Sequence, residues 1–171
     1  MVLSATNLKR GIVSSMASED IRETWSNLTI DQIQAHLNIL KMRVPYLAGK
    51  MRIEFARGSS RGADITVSLL DEQGNKHFLL FEVEQYASGR GHGEKIVRWA
   101  ERHNSAENSM TVVISLVMQA FFNRITGGYC EDESVRRMVY SKNFRIYAGS
   151  GDGRLTDELK TFITLWIEER L

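Results

Sequence analysis

The sequence predicts an α/β layered domain built on a mixed β-sheet flanked by helices. Three observations carry this reading. Apolar and polar residues alternate with period two through "KMRIEFA", "GADITVSLL" and "KHFLLFEVEQ". A helical pattern in "GHGEKIVRWAERHN" is followed by the almost continuously apolar "MTVVISLVM". Helical periodicity also marks the segments before and after this middle region.

In chain order, "NLTIDQIQAHLNILKMRV" sets Ile33, Leu37 and Leu40 at helical spacing. Thr29 and Gln32 stand there as a capping pair, which predicts a helix over about 30–43. After Pro45, Met51, Ile53 and Phe55 alternate with Arg52 and Glu54 in a first strand. Ala63, Ile65, Val67 and Leu69 alternate with Asp64, Thr66 and Ser68 in a second, and "DEQGN" turns the chain into a third. The next helix groups Ile96, Trp99, Ala100 and His103 on one face, with Lys95, Arg98 and Arg102 on another. A strand, a crossover helix and a strand apolar on both faces imply a parallel, right-handed connection. A helix-like stretch near Gln119–Arg124, a strand at "NFRIYAG" and an amphipathic helix from about Thr156 to Leu171 complete a C-terminal β-α extension. The expectation is one domain over 1–171, with a core at about 29–118 and an extension at about 119–171.

Composition narrows the function classes. Lys and Arg number 22 against 21 Asp and Glu, a net charge of +1, so any nucleic-acid surface must be local. Cys130 is the lone cysteine, which excludes an internal disulfide framework and a cysteine zinc cluster and fits a reducing, cytoplasmic setting. No apolar run is long enough to span a bilayer, and "MVLSATNLKRGIVSSMAS" lacks the apolar centre of a secretory signal, so no membrane partner is expected. His36, His77, His92 and His103 show no metal-ligand spacing, Trp25, Trp99 and Trp166 sit at core-like positions, and "GSGDG" around Asp152 reads as a turn.

The chemistry gathers at "FEVEQ". In a period-two strand Glu82 and Glu84 share a face, and Leu80 shares it with them. A hairpin symmetric about Gln73 sets Asp64 opposite Glu82, with Glu84 on the diagonal. A one-residue slip in the turn would send Asp64 to the other face. Three clustered carboxylates repel one another unless a cation joins them, and an oxygen-ligated Mg²⁺ or Mn²⁺ fits that donor set, with the Val83 carbonyl as a further ligand. The bland alternative is a solvated polar hairpin face, which is also how Glu54 reads. "RGSSRG" brings Arg57 and Arg61 just before Asp64. "SGRGHGEK" brings Arg90, His92 and Lys95 just after Glu84, and the helix that follows adds Arg98. These segments suit phosphate contacts, including the amides of a helix N-terminus, although the spacing is not that of a P-loop.

An early helix, Asp64 in a second strand, an acid-x-acid ending a third, then a helix and a buried strand resembles the restriction-endonuclease-like core (α-β-β-β-α-β) of the PD-(D/E)XK nuclease superfamily, over about residues 29–118. The resemblance implies a metal-dependent endonuclease acting on DNA, with Asp64 and Glu82 as metal ligands and Glu84 at the position of the motif lysine. "GAD" stands where the family has "PD". Some restriction endonucleases of the superfamily carry glutamate at the lysine position, and others take the lysine from the following helix. Lys95 is therefore either that replacement or an ordinary solvated charge. The "EVEQ" strand with "EKIVRWAE" also looks like the nuclease-like portion of some plasmid and phage replication or mobilisation proteins. An inactive module of the same fold, binding nucleic acid or a protein partner in such a complex, is the competing expectation. A third is an interaction subunit assembled through its C-terminal helix. A homodimer would suit double-strand cleavage and is left open by the sequence.

Overall fold

The computed structural model describes residues 5–56, 63–84, 108–116 and 142–171, with side chains in the first of these segments described from residue 24. The elements are α1 (Ala5–Arg43), a 3₁₀ turn (Pro45–Gly49), β1 (Met51–Phe55), β2 (Ile65–Leu70), β3 (Lys76–Val83), β4 (Ser109–Ser115), β5 (Phe144–Ala148) and α2 (Asp157–Glu168). This is an α/β arrangement with a five-stranded mixed sheet in the order β1-β2-β3-β4-β5.

The alternating segments form an antiparallel meander, β1 on β2 and β2 on β3. Asp71 closes the second hairpin: its carboxylate accepts the N–H groups of Gln73 and Asn75 at 2.9 and 2.8 Å, and its other oxygen lies 3.0 Å from His77 Nε2. Gly74 takes φ +82°, which an L side chain reaches only with strain. The register pairs Ile65 with Phe81 and Leu70 with Lys76, the symmetric hairpin expected about Gln73.

β4 then runs parallel to β3, and β5 parallel to β4. The helix expected between β3 and β4, with Trp99, Arg102 and His103, lies outside the described residues, as do Cys130 and the stretch near Gln119–Arg124.

One sheet face carries the core. Ile65, Val67, Leu79, Phe81, Val83, Val112 and Ile114 project from it against Trp25, Ile33 and Leu37 of α1 and Leu159, Ile163, Trp166 and Ile167 of α2. Full burial of each such side chain stabilises the fold by roughly 1.5–3 kcal/mol. The opposite face is also dry at its centre, where Leu80, Thr111, Val113 and Phe144 are buried, so β4 is covered on both sides as its apolar run required.

α2 begins one residue after its cap, Thr156, whose side chain accepts the Leu159 N–H at 3.3 Å. α1 departs from expectation: it begins at Ala5, so Thr29 lies inside a helix rather than capping one. Thr29 is buried, and its hydroxyl has no hydrogen-bond partner among the described residues. Tertiary packing overrides the local capping pattern, because the helix must continue upstream to seat Trp25. That indole is buried and donates to the Ser150 carbonyl at 2.8 Å. Trp25 and Trp166 are core residues as the spacing implied, and Asp152 organises a turn by accepting from Ser150 and from the Arg154 N–H. No helix among the described residues is long and apolar enough to cross a membrane.

Candidate functional site

Asp64 sits immediately before β2, where the β2–β3 ladder ends at Ile65 and Phe81. Continuing that register places Asp64 across from Glu82. Beyond the ladder, the Val83 N–H has lost its backbone partner, and the Asp64 carboxylate takes its place at 2.8 Å. The residues of a bonded antiparallel pair direct N–H and C=O to the same side. The Val83 carbonyl therefore faces the Asp64 side too, where Ser26 of α1 donates its hydroxyl to it at 3.4 Å. The Glu84 N–H turns the other way and donates to Ile114 of β4 at 2.9 Å. β3 thus divides its last amides between its two neighbours, which holds Glu82 and Glu84 on one face.

The electrostatics show that the acids are close. Burial pushes the Asp64 carboxyl above its usual range, the Val83 N–H pulls it back, the Glu84 charge pushes it up again, and a hydrogen bond with the Glu82 carboxyl lowers it. A carboxyl–carboxyl hydrogen bond needs a proton on one of the two groups, the form that burial of Asp64 favours. Among the described residues no Lys or Arg forms an ion pair with Asp64. The centre is a partly buried acid beside two more.

All three side chains offer hard oxygen donors, the set that Mg²⁺ and Mn²⁺ take. As they stand, no group of three or more His, Cys, Asp or Glu side chains among the described residues is arranged to hold a metal ion. Ligation by all three acids would need at least one glutamate to rotate. The Val83 carbonyl, the further oxygen expected to join them, accepts from Ser26.

Of the other residues singled out in the sequence, Arg57, Arg61, Arg90, His92, Lys95 and Arg98 lie outside the described residues. Glu54 is exposed, 3.9 Å from Arg52. His77 belongs to the Asp71 turn, and His36 lies 3.3 Å from the Thr164 hydroxyl. Ser26 was missed by the sequence reading. Its signal was there: it occupies the helical stripe of Ile30, Ile33 and Leu37, where a lone polar side chain needs a partner.

In comparisons with protein-family models, with curated proteins and with solved structures, nothing matches this chain. The function therefore has to be argued from the site.

Proposed function

We propose that this chain is a divalent-metal-dependent nuclease that hydrolyses DNA phosphodiesters on a restriction-endonuclease-like core, with Mg²⁺ or Mn²⁺ as its cofactor. The observation that carries this reading is the partly buried Asp64 carboxyl set beside Glu82 and Glu84 with no cationic side chain paired to it among the described residues. Clustering like charges costs stability and is understandable where a bound cation offsets it. The meander followed by a parallel strand also supports the reading, because the resembling core has that order.

A bound divalent ion would supply Lewis acidity and lower the pKa of a water it holds. The protein's part is positional. The Val83 N–H fixes Asp64, Ser26 orients the Val83 carbonyl, and the bond from Glu84 to Ile114 fixes the strand end from which both glutamates project. To Glu84 we assign the proton of the attacking water. The segments adjoining these acids in sequence carry Arg57, Arg61, Arg90, His92, Lys95 and Arg98, to which we assign the substrate phosphates.

Incubating plasmid and linear DNA with the protein and Mn²⁺ or Mg²⁺ tests the proposal. The expected result is metal-dependent nicking or cutting that disappears in Asp64→Asn. Cutting that persists in that variant, or no cutting of any DNA form, overturns it.

A second reading rests on Glu84 itself. Where the resembling family keeps lysine this strand carries another acid, which favours a catalytically inactive module binding nucleic acid or a protein partner in a replication or mobile-element complex. Salt-sensitive DNA binding without hydrolysis, unchanged in Glu82→Ala, would select this reading.

A further inference from the structure

β1 is the first strand of the sheet and bonds only to β2 among the described residues. The Lys50 carbonyl accepts the Leu70 N–H at 3.1 Å, and the Ala56 N–H donates to the Asp64 carbonyl at 3.3 Å. Since alternate residues of an antiparallel strand bond inward, Met51, Ile53 and Phe55 turn their N–H and C=O groups outward. These three residues also line an open groove of about 670 Å³ between α1 and the sheet edge. Among the described residues four cations, Lys41, Lys50, Arg52 and Lys76, line the same groove, and no Asp or Glu does. Lys50 is held in place over the Tyr46 ring at 3.8 Å.

We propose that the outer edge of β1 docks an extended acidic segment of a partner protein, which joins the sheet as an added strand. The edge selects a polypeptide because it presents carbonyl acceptors as well as N–H donors. A phosphate backbone can only accept, whereas an extended peptide supplies both in matching alternation. The cations select acidic side chains on that peptide, since positive groups gathered around one groove attract a counter-charge, and Arg52 alone among them lies near an acid, Glu54 at 3.9 Å, among the described residues. A second copy of this chain is a poor occupant, because strand-to-strand pairing would bring two sets of these cations together. The strand is short and carries the exposed pair Arg52 and Glu54, features that discourage indiscriminate edge pairing.

The test uses a fluorescent peptide of about ten residues alternating valine and glutamate, a usual strand length with one acidic face. Anisotropy is read in EDTA with the Asp64→Asn protein, so the result does not depend on the metal centre. The expected result is saturable binding that weakens with salt and falls at least tenfold in the double variant Lys50→Glu, Lys76→Glu, whose two positions share a sheet face, checked by circular dichroism to be folded. A peptide methylated on alternate backbone nitrogens should fail to bind, and amide exchange at Met51, Ile53 and Phe55 should slow when the unmodified peptide is present. No saturable binding up to about 1 mM overturns the proposal. So do binding indifferent to N-methylation, displacement by a single-stranded oligonucleotide that is tighter than the peptide, and self-association that excludes the peptide.

Discussion

The Asp64 carboxylate accepts the Val83 N–H at 2.8 Å, so the residue most exposed to repulsion from its acidic neighbours also finishes the hydrogen bonding of the central strand. Two substitutions separate these roles. Asp64→Asn keeps an oxygen for the amide and removes the charge. Its melting temperature at neutral pH should exceed that of the parent. Asp64→Ala leaves the Val83 N–H unpaired and should cost about 1–3 kcal/mol. Thermal melts of the two variants check both signs.

The raised Asp64 pKa also fixes a direction in pH. Between the ordinary value of 3.8 and the raised folded value, the native state holds more protons than the unfolded one, so stability falls as pH rises through that window. Asp71 and His36 act oppositely. Its hydrogen bonds from His77 and Asn75 hold Asp71 well below the usual carboxylate range, so its contribution is present above 3.8 and is lost as pH falls below that value toward the folded one. Burial lowers the His36 pKa from 6.5, so the native state resists protonation there and loses stability as pH drops below 6.5. Melts against pH should lose the acid-side slope near 6.5 in His36→Gln and the lowest-pH slope in Asp71→Asn.

Under the proposed function, Mn²⁺ should raise the melting temperature. At a concentration a hundredfold above its dissociation constant the gain is about 2.7 kcal/mol. Asp64→Asn and Glu82→Gln should lose most of that gain, and lowering the pH should weaken it in the parent because protons compete for the same oxygens. Calorimetric scans with and without the ion read this directly.

Glu84→Lys replaces the acid that raises the Asp64 pKa with a cation. Stability at neutral pH should increase, and DNA cleavage should fall, because a lysinium cannot accept the proton assigned to Glu84. A variant that is stabilised and cuts faster would show instead that the site works better with the lysine of the resembling motif.

Two glycines test the packing. A Cβ at Gly149 would lie 2.5 and 2.9 Å from ring carbons of Trp25, so Gly149→Ala should cost about 1–3 kcal/mol by displacing the indole from its bond to Ser150. Gly74→Ala meets no neighbour, but at φ +82° it should cost roughly 1–2 kcal/mol. Gly74→Asn should cost less. Denaturant titration separates the three variants.

Strand order and the placement of the acids were legible because period two and a symmetric turn leave few registers for the meander. The alternation that buries Leu79 and Phe81 is the one that aligns Glu82 with Glu84, and "DEQGN" set the phase that brought Asp64 across from them. The start of α1 was not legible, because Thr29 and Gln32 form a credible cap locally. Only the seat of Trp25 against Ser150, distant in sequence, shows why the helix runs on. The Ser26 bond to Val83 was hidden for the same reason, since it depends on where a helix crosses a strand end.

The divided strand end has a consequence for engineering and descent. Asp64 is tied to the Val83 N–H, the Val83 carbonyl to Ser26 of α1 and the Glu84 N–H to Ile114 of β4, so the strand end that bears the acids is held from three elements far apart in sequence. A change in any one of those elements is therefore felt at the strand end. A lineage, or a designer, that alters the seat of Ser26 in α1 or of Ile114 in β4 shifts the acids without substituting any of them.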